Sequence, residues 1–270
     1  MPTQSTINPA RLAVFRQLFQ AVAEEMGEAL MRTGFSPNIK ERRDFSCAVF
    51  DARGAMLAQA EHLPVHLGSM PMSVRAALAA HRLGPGDMVM LNDPYEGGTH
   101  LPDVTVVAPV FAAGNEQEQP AFYVANRAHH ADVGGIAPGS LSLSSELFQE
   151  GIILPPVRVV RSGELDADVL GIFLRNVRTP DERRGDLLAQ IAANRTAIVR
   201  LEQYLARYGL PELERYGAAL QDYAERVIRS LLAELPDGEL RAVDYLDDDG
   251  LGTADVRIAL SLRIEGESAT

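Results

Sequence analysis

Between Met88 and Val133 three short apolar runs alternate with two polar, glycine-bounded loops, and this alternation limits the open folds more than any other feature. The runs are Met88-Val89-Met90-Leu91, Val104-Thr105-Val106-Val107 and Ala121-Phe122-Tyr123-Val124. Aliphatic, β-branched and aromatic side chains in runs this short suit strands better than helices. The chain must then hold both polar loops at neighbouring strand ends. The first reads Asn92-Asp93-Pro94-Tyr95-Glu96-Gly97-Gly98-Thr99-His100-Leu101-Pro102-Asp103, the second Ala128-His129-His130-Ala131-Asp132-Val133-Gly134-Gly135.

Upstream, Leu12, Phe15, Leu18, Phe19, Val22, Met26 and Leu30 recur at helical spacing, predicting a helix from Pro9 to about Thr33 with Asn8 as N-cap and Gly34 as its stop. A hairpin is expected over Phe45–Phe50 and Ala55–Ala60, then a helix from about Pro71 to Leu83 with Ser69 as its cap. Residues 131–146, rich in Gly, Ser and Pro, form a candidate active-site loop. Leu154–Val160 reads as a strand, and the stretch from about 180 to 235 as two long helices. Strands are expected again over Leu240–Tyr245 and Ala254–Ile264. The expected class is α/β or α+β: a mixed sheet carrying the site loops, with an N-terminal helix and a helical segment around 180–235. The expected divisions are 1–175, a metal-site region; 176–236, helical; and 237–270, the start of a strand-rich region continued in longer proteins.

A net charge of −12 lacks the basic footprint that non-specific nucleic-acid binding needs. No run approaches the length of a membrane span, and the N-terminus has no apolar leader segment. Cys47 is the single cysteine, so no intramolecular disulfide can form, and a reducing, cytoplasmic setting is expected. Its strand-like surroundings point to a small buried hydrophobe.

His100 and Asp103 stand three apart with Pro102 between them, and His129 and Asp132 repeat the spacing. Two such His-x-x-Asp units can supply four nitrogen and oxygen ligands to one divalent cation, Mn²⁺, Zn²⁺ or Fe²⁺, and leave a position open. Asp93 is a further candidate ligand or an acceptor that orients an imidazole. Adjacent strand residues face opposite ways, so His129 and His130 are not both expected to ligate. His66, in a Pro/Gly setting, is a candidate ligand or proton donor, and Glu150 a candidate general base. His66, His130 and Glu150 are thus the catalytic candidates. His62 and His81 receive no role. No Gly-Lys-Ser/Thr phosphate loop and no Gly-x-Ser-x-Gly elbow occur.

Six motifs in order make the chain resemble the hydantoinase B/oxoprolinase family: residues 39–46, 64–71, 92–103, 127–135, Glu150-Gly151 with Asn176-Val177-Arg178, and 185–193. The family comprises N-methylhydantoinase B subunits, the C-terminal part of 5-oxoprolinases, and subunits of acetone and acetophenone carboxylases. Its members are considerably longer, so the resemblance is to an N-terminal half. It implies a hydrolase of cyclic amides such as 5-oxoproline or hydantoins, working in a hetero-oligomer whose A-type subunit uses ATP to activate the substrate carbonyl. The resemblance, not the geometry, also implies His129 as the ligand and His130 as a pocket wall. Two alternatives stay open: a subunit of an ATP-dependent ketone carboxylase, and a non-catalytic truncated assembly module.

Overall fold

The computed structural model describes residues 7–61, 66, 68–114 and 119–270, and counts refer to these. His62, residues 64, 65 and 67 of the 64–71 motif, and 115–118 lie outside them. The chain divides into two compact units, 1–217 and 218–270.

Helix α1, Pro9–Thr33, begins where Asn8 Oδ1 accepts from the backbone N–H groups of Ala10 (2.9 Å) and Arg11 (3.2 Å). Its core stripe is Phe15, Phe19, Val22, Met26 and Leu30, each worth roughly 1.5–3 kcal/mol when fully buried. A short helix α2, Pro37–Lys40, leads to β1, Phe45–Asp51, and β2, Met56–Glu61. Helix α3, Met70–Ala80, precedes β3, Met88–Leu91, then β4, Asp103–Val110, and β5, Phe122–His129. After a long loop come β6, Val157–Arg161, β7, Glu164–Leu165, and two helices, α4, Ala167–Arg175, and α5, Pro180–Tyr208. Helix α6, Leu210–Ala233, leads to β8, Gly238–Asp248, β9, Ala254–Glu265, and β10, Ser268–Ala269.

Seven strands form one sheet in the order β2-β1-β5-β4-β3-β6-β7. Every pairing in it is antiparallel, so of the two expected classes the fold is α+β, and the sheet is antiparallel rather than mixed. The connections β1–β2, β3–β4, β4–β5 and β6–β7 join adjacent strands, whereas β2–β3 and β5–β6 cross to another part of the sheet.

Each face of the sheet has its own cover. Helix α5 packs on β4, β5 and α1. On the other face, Met70, Val74 and Ala77 of α3 pack on Ala48, Phe50, Val89, Leu91, Val107 and Ala125. Toward one end of the sheet this second face turns polar: Ser46, Arg127 and Thr105 stand side by side in register, and Asp103 pairs with His129 one step further. Ser69, expected to cap α3, makes no capping bond; its hydroxyl is taken by Arg127 instead. Residues 218–270 hold a separate three-stranded sheet, β10-β9-β8.

Candidate functional site

The site gathers at the start of β4 and the end of β5. Asp103 opens β4, its backbone N–H bonded to the His100 carbonyl (3.0 Å), so the loop turns back and sets His100 beside it. Gly97 makes that turn possible. Its φ is +91°, and a Cβ there would lie 2.6 Å from the Met72 carbonyl oxygen. Gly98 lies so close to Asn92 that a Cβ would meet its carbonyl oxygen at 2.4 Å. Asn92 braces the same loop, donating to the Leu101 (2.7 Å) and Ile152 (3.0 Å) carbonyls and accepting from the Leu154 N–H (2.7 Å).

Three imidazoles surround the Asp103 carboxylate, which is 2% exposed. His129 Nδ1 lies 3.0 Å from Oδ1; His66 Nε2 and His100 Nδ1 lie 3.2 and 3.4 Å from Oδ2. Thr99 donates its hydroxyl to Oδ2 as well (3.1 Å). Burial opposes a charged Asp103, but bonds from His100, His129 and His66 together outweigh it and hold the carboxyl well below the usual carboxylate range. His100 is raised in turn, chiefly by its bond to Asp103, against partial burial. His66 Nδ1 sits 3.0 Å from the Ser46 hydroxyl, and its Nε2 is 3.9 Å from Asp44. Among the described residues, His100, Asp103 and His129 are the one group of potential metal donors whose ligand atoms lie within 4.8 Å of one another. Two imidazoles and a carboxylate of this kind fit a divalent Mn, Zn or Fe ion and do not choose among them.

The structure does not bring every candidate here. Asp132 is buried, but it accepts from the Arg178 guanidinium (2.9 Å), the Arg178 backbone N–H and the Gly134 N–H (3.0 Å). It clamps the base of the 131–151 loop, where Arg178 also binds the Gly134 and Gly135 carbonyls. The two His-x-x-Asp units differ because Asp103 starts a strand on the site's face, whereas the chain turns away after His129 ends one. Asp93 closes a turn on the Tyr95 N–H (2.9 Å). The Glu150 carboxylate accepts from Ser144 (3.3 Å) within the 131–151 loop.

His130 faces the α5 side, fully buried, with Nε2 2.9 Å from Gln190 Oε1 and its ring edge-on to Phe173. Burial lowers its pKa to about 4. His81 ends α3, with Nε2 2.7 Å from the Pro156 carbonyl. Cys47 is buried within β1, and burial pushes its thiol far up, so it is no nucleophile. Arg127, Asp44 and Thr99 complete the site's surroundings without having been singled out by spacing. The available signal was a charged residue inside an apolar strand, two positions before His129.

The hydantoinase B/oxoprolinase family profile matches residues 8–270. The chain belongs to the hydantoinase B/oxoprolinase family. It is 39% identical over 280 residues to the 5-oxoprolinase of Saccharomyces cerevisiae, covering 97% of this chain and 21% of that protein. The B subunit of a putative D-/L-hydantoinase from Pseudomonas sp. strain NS671 is 33% identical over 276 residues, covering 98% and 46%. The crystal structure of an ATP-dependent caprolactamase from Pseudomonas jessenii superposes with a TM-score of 0.89 at 31% identity, over 98% of this chain and 46% of that one. This member of the hydantoinase B/oxoprolinase family therefore spans less than half the length of these relatives. No helix among its described residues is long and apolar enough to cross a membrane.

Proposed function

We propose that the chain forms the metal-holding part of an ATP-dependent enzyme that hydrolyses cyclic amides, 5-oxoproline or hydantoins, with a separate A-type subunit using the ATP. The observation that carries this reading is the buried Asp103 carboxylate ringed by His66, His100 and His129. The names of the relatives support the reaction class: a 5-oxoprolinase, part of a hydantoinase and an ATP-dependent caprolactamase.

His100, Asp103 and His129 would hold a divalent cation. Such an ion, when bound, supplies Lewis acidity that polarises a carbonyl and lowers the pKa of water. The chain's own residues do the rest. His100, 41% exposed at its side chain, opens the cluster to a substrate, while Asp103, His66 and His129 stay within the protein. Asp103 keeps a fixed negative charge among the imidazoles, and His66 stands between two oxygens, its Nδ1 3.0 Å from the Ser46 hydroxyl and its Nε2 3.2 Å from Asp103 Oδ2.

Two measurements test this. Elemental analysis should find a divalent metal in the purified protein and a deficit in His100→Ala; equal content in both would remove the metal assignment. Turnover of 5-oxoproline and hydantoins should require ATP and an A-type partner. Turnover of a ketone only when bicarbonate is added would instead assign the carboxylase reaction, and substantial hydrolysis by the isolated chain would exclude a need for the partner.

A further inference from the structure

Arg127 is a fully buried guanidinium whose hydrogen-bond partners are three neutral hydroxyls. Its Nε donates to Thr105 Oγ1 (2.9 Å), one terminal nitrogen to Ser69 Oγ, the other to Ser73 Oγ (2.6 Å). Burying a cation without a direct ion pair costs stability, and the attraction of the nearby Asp103 carboxylate opposes that cost without outweighing it; an apolar side chain of similar length would fill the space.

What distinguishes these partners is where they lead. Thr105 is two residues from Asp103 on β4, and Arg127 two residues from His129 on β5. Ser73 passes the connection on, its hydroxyl donating to the Gly97 carbonyl, three residues before His100. Ser69 follows His66 by three residues, with its hydroxyl directed to the His66 carbonyl at 3.5 Å. One planar fork thus meets the two strands that carry Asp103 and His129 and the two segments that carry His100 and His66. A lysine could not reach three diverging hydroxyls with one fixed geometry.

We propose that Arg127 is a positioning residue, which seats the His66 and His100 segments against the Asp103–His129 strand pair through Ser69 and Ser73. In its effect on metal binding, this rests on the metal reading above.

The test compares wild type with Arg127→Met, Arg127→Lys and the milder Ser73→Ala. In metal-free protein, hydrogen exchange at residues 97–100 should accelerate in Arg127→Met and Ser73→Ala. With Co²⁺ as the probe, calorimetry should show affinity falling at least roughly 10-fold in Arg127→Met, as for other groups that orient ligands, with a smaller loss in Ser73→Ala. The visible Co²⁺ bands should shift in the same order, and Arg127→Lys should fall between Arg127→Met and wild type. If Arg127→Met does not fold, Ser73→Ala decides. Unchanged exchange at 97–100 in a folded variant overturns the positioning role, as does wild-type Co²⁺ affinity with an unshifted spectrum. A wild type that binds no metal but shows the exchange difference would overturn the metal reading alone.

Discussion

Asp103 is the only carboxylate among the described residues with three imidazoles within 3.4 Å, so its charge decides what the cluster can hold. Asp103→Asn keeps the shape and removes that charge. Calorimetry with Mn²⁺ or Zn²⁺ should show affinity reduced by more than about 100-fold, beyond the loss typical of a group that merely supports a ligand, because Asp103 is itself a proposed ligand. Asp93→Asn, whose carboxylate closes a local turn, should bind as wild type; equal affinity in both variants would take Asp103 out of the site. His130, on the far face, has a depressed pKa of about 4 against an ordinary 6.5. Its neutral form is the folded one, so its contribution is fully present above pH 6.5 and is lost as pH falls toward 4. The span corresponds to on the order of 3 kcal/mol. In chelator-treated protein, unfolding free energy should therefore fall more steeply between pH 6.5 and 4 in wild type than in His130→Gln. Parallel profiles would refute this. Spacing made His100 and Asp103 legible as neighbours, because a three-residue step across a tight turn converges. The same spacing at His129 and Asp132 does not bring Asp132 into the cluster, because Arg178 binds its carboxylate and nothing local announces that.

Helix α5 shows why elements were easier to read than their faces. Its buried side carries Arg183, Asp186, Gln190 and Asn194 at steps of three, four and four, a helical stripe made of polar groups. Hydrophobic periodicity finds the helix but cannot tell that this side faces the sheet. There Gln190 donates to the Val104 carbonyl (2.8 Å) and Asn126 Oδ1 (2.9 Å), and Asn194 to the Val106 carbonyl (3.1 Å). Gln190→Leu leaves the Val104 carbonyl, Asn126 Oδ1 and His130 without their Gln190 partner. It should lower stability by about 3 kcal/mol, the scale of stranding several buried polar groups, as read from urea unfolding; a loss below 1 kcal/mol would mean that the amide ladder adds little. By contrast, α1 was legible residue by residue because its buried stripe is apolar. Helix α4 escaped notice although Asp166 caps it, accepting from the Asp168 (3.2 Å) and Val169 (3.1 Å) N–H groups. The register that sets Asp103 opposite His129 was not legible either: alternation fixes which face a residue takes, not which partner it meets.

At the scale of the whole molecule, the division at Gly217–Ala218 falls inside a continuous helix, α6, with no glycine-, proline- or serine-rich linker to mark it. In the second unit, one face of the β8–β9 pair is largely apolar, broken by Asp244 opposite Ile258 and by Asp248 opposite Ala254. Leu240, Ala242 and Leu246 stand opposite Leu262, Leu260 and Val256 in register. Arg241, Ser261 and the Glu239 carboxylate that both of them bind occupy the other face. Two long strands and a short third cannot bury such a face by themselves, and Leu240 and Leu260 remain 59% and 64% exposed. The exposed leucines at the Leu240–Ala242 end of this face, opposite Leu262 and Leu260, make the kind of surface that binds hydrophobic dyes and other proteins. The folded 270-residue chain should therefore enhance the fluorescence of an anilinonaphthalene sulfonate dye. Leu240→Lys combined with Leu260→Lys should lower that emission while leaving the urea midpoint of the first unit where it was. Emission equal to wild type would place the dye elsewhere and show that this face is covered in solution.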